Sequence, residues 1–72
     1  MFNRVKLGAL VFDADPYKAP ELLYGIGIVI KIVNEIYVEV QWAEWSFTSI
    51  ERKDNLEVFG ESWRFGKNKN RL

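Results

Sequence analysis

Between Tyr24 and Trp42 the chain reads YGIGIVIKIVNEIYVEVQW, a run in which apolar side chains return at every second residue. Ile26, Ile28, Ile30 and Ile32 alternate with Gly27, Val29, Lys31 and Val33, and Ile36, Val38, Val40 and Trp42 alternate with Tyr37, Glu39 and Gln41. A period of two belongs to extended strands, and β-branched residues suit a pleated surface. The run predicts two adjacent antiparallel strands, each with one fully apolar face.

If those faces share one core, they lie on the same side of the hairpin. Pairing Ile32 with Ile36, Ile30 with Val38, Ile28 with Val40 and Ile26 with Trp42 achieves this, with Val33, Asn34 and Glu35 as a three-residue loop. A two-residue Asn34-Glu35 turn would instead set Ile32 against Tyr37 and Ile30 against Glu39. An odd-numbered loop, or a bulge that restores parity, is therefore expected.

The flanking sequence supplies further short strands. Ala9-Leu10-Val11-Phe12 reads as a first strand ending at Asp13. DADPYKAPELLY, between Asp13 and Tyr24, carries Pro16 and Pro20, which do not suit a central strand, so a long ordered loop is expected there. Trp45 to Ile50 reads as a fourth strand, Arg52 to Asn55 as a turn, and Leu56 to Phe59 as a fifth strand. Five short strands in so short a chain predict a small all-β barrel over residues 1–60, because closure removes edges that such apolar strands would expose. Residues 61–72 form an extension, aromatic and then basic, that is expected to be mobile.

Seventy-two residues allow one domain with a small core and no room for an elaborate pocket, so no small-molecule substrate is expected. Without cysteine the chain has neither disulfides nor thiolate metal sites. Without histidine as well, the usual general base and nucleophile are missing, which argues against an enzyme and against a bound cofactor. Asp13 and Asp15 are two nearby carboxylates, but a cation site needs about six oxygens and no such loop follows them, so they are expected to be solvated turn residues and no metal is expected. No segment has the ~18 apolar residues of a membrane span, nor a signal-peptide core, so a cytoplasmic, non-secreted protein is expected.

Charge is segregated. Residues 1–63 hold all ten acids and six bases, a net of −4, while Arg64, Lys67, Lys69 and Arg71 give the tail a net of +4.

The combination Leu7-Gly8-x-Leu10-Val11, Tyr24-Gly25-Ile26-Gly27-Ile28-Val29, Val38-x-Val40-x-Trp42 and Leu56-Glu57-Val58 resembles the SH3-like barrels related to KOW domains. In particular the chain is similar to small SH3-like barrel proteins encoded by tailed bacteriophages, including those of marine cyanobacteria. The resemblance covers residues 5–59 and places Gly27 at the KOW glycine. It implies a five-stranded SH3-like barrel with a long loop after the first strand, in the host-cell cytoplasm or the virion. KOW modules contact RNA or other proteins, but this chain lacks a basic cluster beside that glycine. ALVFDAD, at Ala9 to Asp15, also resembles the ALYDY stretch of signalling SH3 domains, but the paired tryptophan and proline element of their groove are missing.

Too many aromatic residues are present for so small a core to bury. Trp42 is assigned to the core by its alternation. Tyr17, Tyr24, Trp45, Trp63, Arg64 and Phe65 are the candidates for a partner-binding surface, since aromatic and Arg residues dominate protein interfaces. Trp63 and Phe65 have an alternative role, plugging the open end of their own barrel. The leading expectation is a non-enzymatic module for protein assembly or self-association, as a minor virion component or host-interacting factor. The alternative is a KOW-like nucleic-acid-binding factor in transcription or translation, in which Arg64, Lys67, Lys69 and Arg71 contact phosphates.

Overall fold

The alternation in residues 26–42 does give paired strands, and the rest of the sheet is built outward from them. The computed structural model describes residues 5–61. Its strands are β1 (Ala9–Asp13), β2 (Ile26–Ile32), β3 (Tyr37–Trp42), β4 (Thr48–Arg52) and β5 (Leu56–Glu61), with short 3-10 turns at Pro20–Leu22 and Lys53–Asn55. All pairings are antiparallel and form one five-stranded sheet in the order β4-β3-β2-β1-β5. The protein is thus all-β. No helix among the described residues is long and apolar enough to cross a membrane.

Strand boundaries shift from the sequence expectation at both ends of β4 and at the end of β5. β4 begins at Thr48 rather than Trp45, because Ala43 to Phe47 is held as a loop, and β5 runs past Phe59 to Glu61. Among the described residues no ladder joins β4 to β5, so the sheet is open where a closed barrel was expected. Its inner face is nevertheless buried. Val5, Ala9, Val11, Val29, Val38, Val40, Trp42 and Leu56 form the core, with Tyr24 and Val58 packed against them.

The register corrects which face of β2 points inward. Ile32 pairs with Val38 and Lys31 with Glu39, then the register shifts, and Val29 pairs with Val40, Ile28 with Gln41 and Gly27 with Trp42. Ile30 is the extra residue of a bulge. An odd-numbered loop or a bulge was expected; the hairpin has both, and the bulge displaces the expected partners beyond it. Gly27 and Val29 face the core, while Ile26, Ile30 and Ile32 are exposed. Ile36, expected as a core partner of Ile32, lies exposed in the loop before β3.

Side-chain volume explains the inversion. A Cβ on Gly27 would lie 2.6 Å from Trp42 Cε3, 2.6 Å from Val40 Cγ1 and 2.9 Å from the Gln41 carbonyl oxygen. The large indole of Trp42 thus occupies the space that any side chain at position 27 would fill. Isoleucine at this position would collide with it, so before the bulge Ile26 and Ile28 take the other face. Gly27→Ala is expected to destabilise the fold by about 1–3 kcal/mol, the cost of overpacking a filled core, read as a lower urea midpoint with unchanged slope.

Candidate partner-binding surface

Tyr24 stands just before β2, where Gly25, at φ +86°, turns the chain into the strand. Its ring is the hub of an aromatic cluster. The ring centroids of Trp42, Phe47 and Trp45 lie 5.3, 5.3 and 6.0 Å from it, and the rings of Phe47 and Trp45 meet it edge-on at 78° and 69°. Trp45 and Phe47 are themselves 5.6 Å apart. Edge-to-face packing of this kind stabilises each pair by about 0.5–1.5 kcal/mol beyond simple burial. Trp42 is the buried floor, Tyr24 is half-buried, and Trp45 and Phe47 remain 47% and 40% exposed, so two ring surfaces face solvent on a fixed base.

The loop that presents them is fastened by Gln41. Its Nε2 donates to the carbonyl oxygens of Trp45 and Phe47 at 3.1 and 3.2 Å. The Trp45 N–H donates to the Trp42 carbonyl, closing the turn. Below, Trp42 Nε1 donates to Ser49 Oγ at 2.8 Å, and that hydroxyl donates to Glu51 Oε2 at 2.7 Å. The floor of the cluster is thereby tied to β4.

A second polar anchor lies on the other side of Tyr24. Asp13, at the end of β1, is buried rather than solvated as the sequence suggested. Its Oδ2 accepts from the Tyr24 N–H at 2.9 Å and from Lys18 Nζ at 2.8 Å, and its Oδ1 accepts from the Asp15 N–H at 3.3 Å. A buried carboxylate needs such donors, and here they fix both ends of the long loop. Lys18 Nζ also sits 3.7 Å from the Tyr24 ring centroid, a cation–π contact. Partial burial pulls the Lys18 pKa down, but the hydrogen bond and charge of Asp13, helped by Glu51 and Tyr24, outweigh it, so the ammonium titrates above its ordinary value.

Of the residues expected to bind a partner, the structure brings Tyr24 and Trp45 together. It leaves Tyr17 apart: that residue is 93% exposed and stacks on none of the described rings. Trp63, Arg64 and Phe65, and the tail bases Lys67, Lys69 and Arg71, lie outside the described residues. Phe47, Gln41 and Lys18 complete the cluster although none of them was among the expected partner-binding residues. Asp15 behaves as a turn former, accepting from the Tyr17 N–H at 2.9 Å. A separate shallow pocket of about 520 Å³ lies at the hairpin tip, lined by Ile32, Asn34, Glu35, Ile36 and Lys53.

The described residues are acidic on balance. The described residues hold all ten acids of the chain and five of its ten bases, and the base beside the cluster, Lys18, is already engaged by Asp13 and Tyr24. Compared with protein-family models, curated proteins and solved structures, the chain matches none of them.

Asp13→Ala is expected to cost about 2–4 kcal/mol, since it leaves Lys18 and the Tyr24 N–H without their acceptor; chemical denaturation measures this. The Lys18 shift gives a pH signature. Because its folded-state pKa is raised, its contribution is fully present below the ordinary lysine value of 10.5 and fades as pH rises beyond it. The stability advantage of wild type over Lys18→Gln is therefore expected to be constant at neutral pH and to shrink in more alkaline buffer.

Proposed function

We propose that this chain is a non-enzymatic binding module, an SH3-like barrel of phage type that docks a protein partner on the Tyr24–Trp45–Phe47 surface. The five short antiparallel strands and the long loop after the first support the architecture. The observation that carries the function is two large, solvent-facing rings held on a rigid base by the Gln41 amide, the Trp42 indole and the Asp13 carboxylate. Rings fixed in this way lose little entropy when a partner covers them, which is the profile of an interface hot spot. The acidic balance of the described residues disfavours phosphate and favours a protein partner with apolar or basic side chains. The host-cell cytoplasm or the virion is the setting that the resemblance implies.

The test is capture by the tagged full-length chain from lysate of its native source, with and without nuclease, compared across variants. A stoichiometric protein partner is expected to survive nuclease. Trp45→Ser and Phe47→Ser, on exposed side chains, are expected to leave the fold intact while Trp45→Ser weakens the partner about 30-fold or more, the loss of a hot spot of roughly 2 kcal/mol. Unchanged capture by both variants overturns the surface. A catch lost on nuclease treatment assigns the work to the basic tail and nucleic acid instead.

A further inference from the structure

The two margins of the sheet are not alike. β5 carries a bulge at Phe59, a glycine beside it and the acids Glu57 and Glu61, features that deter a further strand. β4 has neither bulge nor proline, and its ladder to β3 runs from Tyr37↔Arg52 to Gln41↔Thr48 without a shift. Ile50, at its middle, is 53% exposed. Among the described residues no strand lies on the far side of β4.

One bond shows which backbone groups that margin offers. The Lys53 N–H donates to the Ile36 carbonyl at 2.8 Å, in the row next to Tyr37↔Arg52. Bonded and non-bonded rows alternate in an antiparallel ladder, so Glu51 and Ser49 bond to Val38 and Val40. Thr48, Ile50 and Arg52 therefore direct their N–H groups away from β3, and the Thr48 and Ile50 carbonyls point the same way. Opposite the buried Val38 and Val40, Glu51 and Ser49 face inward, which leaves the Thr48, Ile50 and Arg52 side chains on the outer face.

This margin is complementary to itself. Turned about a twofold axis at Ile50, a second β4 sets Ile50 against Ile50, Thr48 against Arg52, and Ser49 against Glu51. The N–H and carbonyl of Ile50 then bond to those of the copy, and the Arg52 N–H of each chain meets the Thr48 carbonyl of the other. Thr48 Oγ1 donates to Glu39 Oε2 at 2.6 Å, so the guanidinium opposite Thr48 comes beside a carboxylate, once on each side of the axis. The exposed ion pair of Arg52 with Asp54, at 2.8 Å, engages one of its nitrogens and leaves other donors for this contact. No acid directly faces an acid. A strand of unrelated sequence would have to answer Glu51 and Arg52 separately, whereas a second copy answers both by symmetry.

We propose that β4 is the contact of a symmetric homodimer, in which two copies join edge to edge into one continuous antiparallel sheet. Five residues on each side bury little area, so the dimer is reversible and depends on concentration. It stands independently of the Tyr24–Trp45–Phe47 surface.

The test is sedimentation equilibrium of the full chain from micromolar to millimolar concentration, with isotope-filtered NOE spectroscopy on an equal mixture of labelled and unlabelled protein. A monomer–dimer equilibrium is expected, with NOEs from the Ser49 Hα of one molecule to the Glu51 Hα of the other, the close approach of a non-bonded row. Ile50→Lys sets two ammonium groups against each other across the axis. This variant is expected to stay monomeric throughout, with the thermal midpoint of wild type at micromolar concentration, while Trp45→Ser dimerises as wild type does. A monomer at millimolar concentration overturns the inference and leaves the margin to solvent or to a strand of another protein. So does a dimer without the Ser49–Glu51 NOE, one that survives Ile50→Lys, or one lost in Trp45→Ser.

Discussion

Trp42 fills the space that a side chain on Gly27 would need, and much of the structure is arranged around that fit. The missing side chain on β2 makes room for the indole on β3, and the indole then serves three neighbours. Its ring supports Tyr24, and through Tyr24 the exposed pair Trp45 and Phe47. Its N–H reaches Ser49 and, through that hydroxyl, Glu51 on β4. Burying one large residue over one absent side chain thus joins β2, β3 and β4 and fixes the floor of the candidate surface. In a chain this short, with no disulfide, such sharing of one residue among several tasks compensates for a small core.

The polar groups inside follow the same economy. Asp13 and Glu51 are buried carboxylates, which would be destabilising if left without donors. Each receives them: Asp13 from Lys18 and two backbone N–H groups, Glu51 from Ser49. The Lys18 ammonium also lies over the Tyr24 ring, so the charge that satisfies the carboxylate positions the aromatic hub. Loop order, core polarity and surface geometry therefore depend on one another at this end of the sheet.

How far the sequence could be read depends on how unlike the two faces of each strand are. On β3, Val38, Val40 and Trp42 oppose Tyr37, Glu39 and Gln41, so its inner face was legible from alternation. On β2 both faces are apolar, and the larger isoleucine row looked like the core. The discriminating signal was volume, since a glycine opposite a tryptophan marks the inner row, where position 27 has no room for a side chain. Tyr24 and Trp45 were legible as surplus aromatics, because a core this small cannot hold every ring. The roles of Asp13, Lys18 and Gln41 were not, because they arise from contacts such as Asp13 to Tyr24 that join residues eleven apart in the chain. That no ladder joins β4 to β5 among the described residues was also invisible to a pattern that records strands but not whether their ends meet.

The two bulges have a mechanical meaning. Ile30 on β2 and Phe59 on β5 are the extra residues, they flank β1 on either side, and both are exposed on the outer face. An extra residue bends and twists its strand, and with the surplus length on one side the sheet bows toward the other, as a strip of two metals does when warmed. Curvature is then written into the ladder itself rather than imposed by joining the last strand to the first. Two extra residues thus do the work that a sixth pairing would do elsewhere, letting five short strands wrap the Val11, Val29, Val40 and Trp42 core with no ladder between β4 and β5 among the described residues.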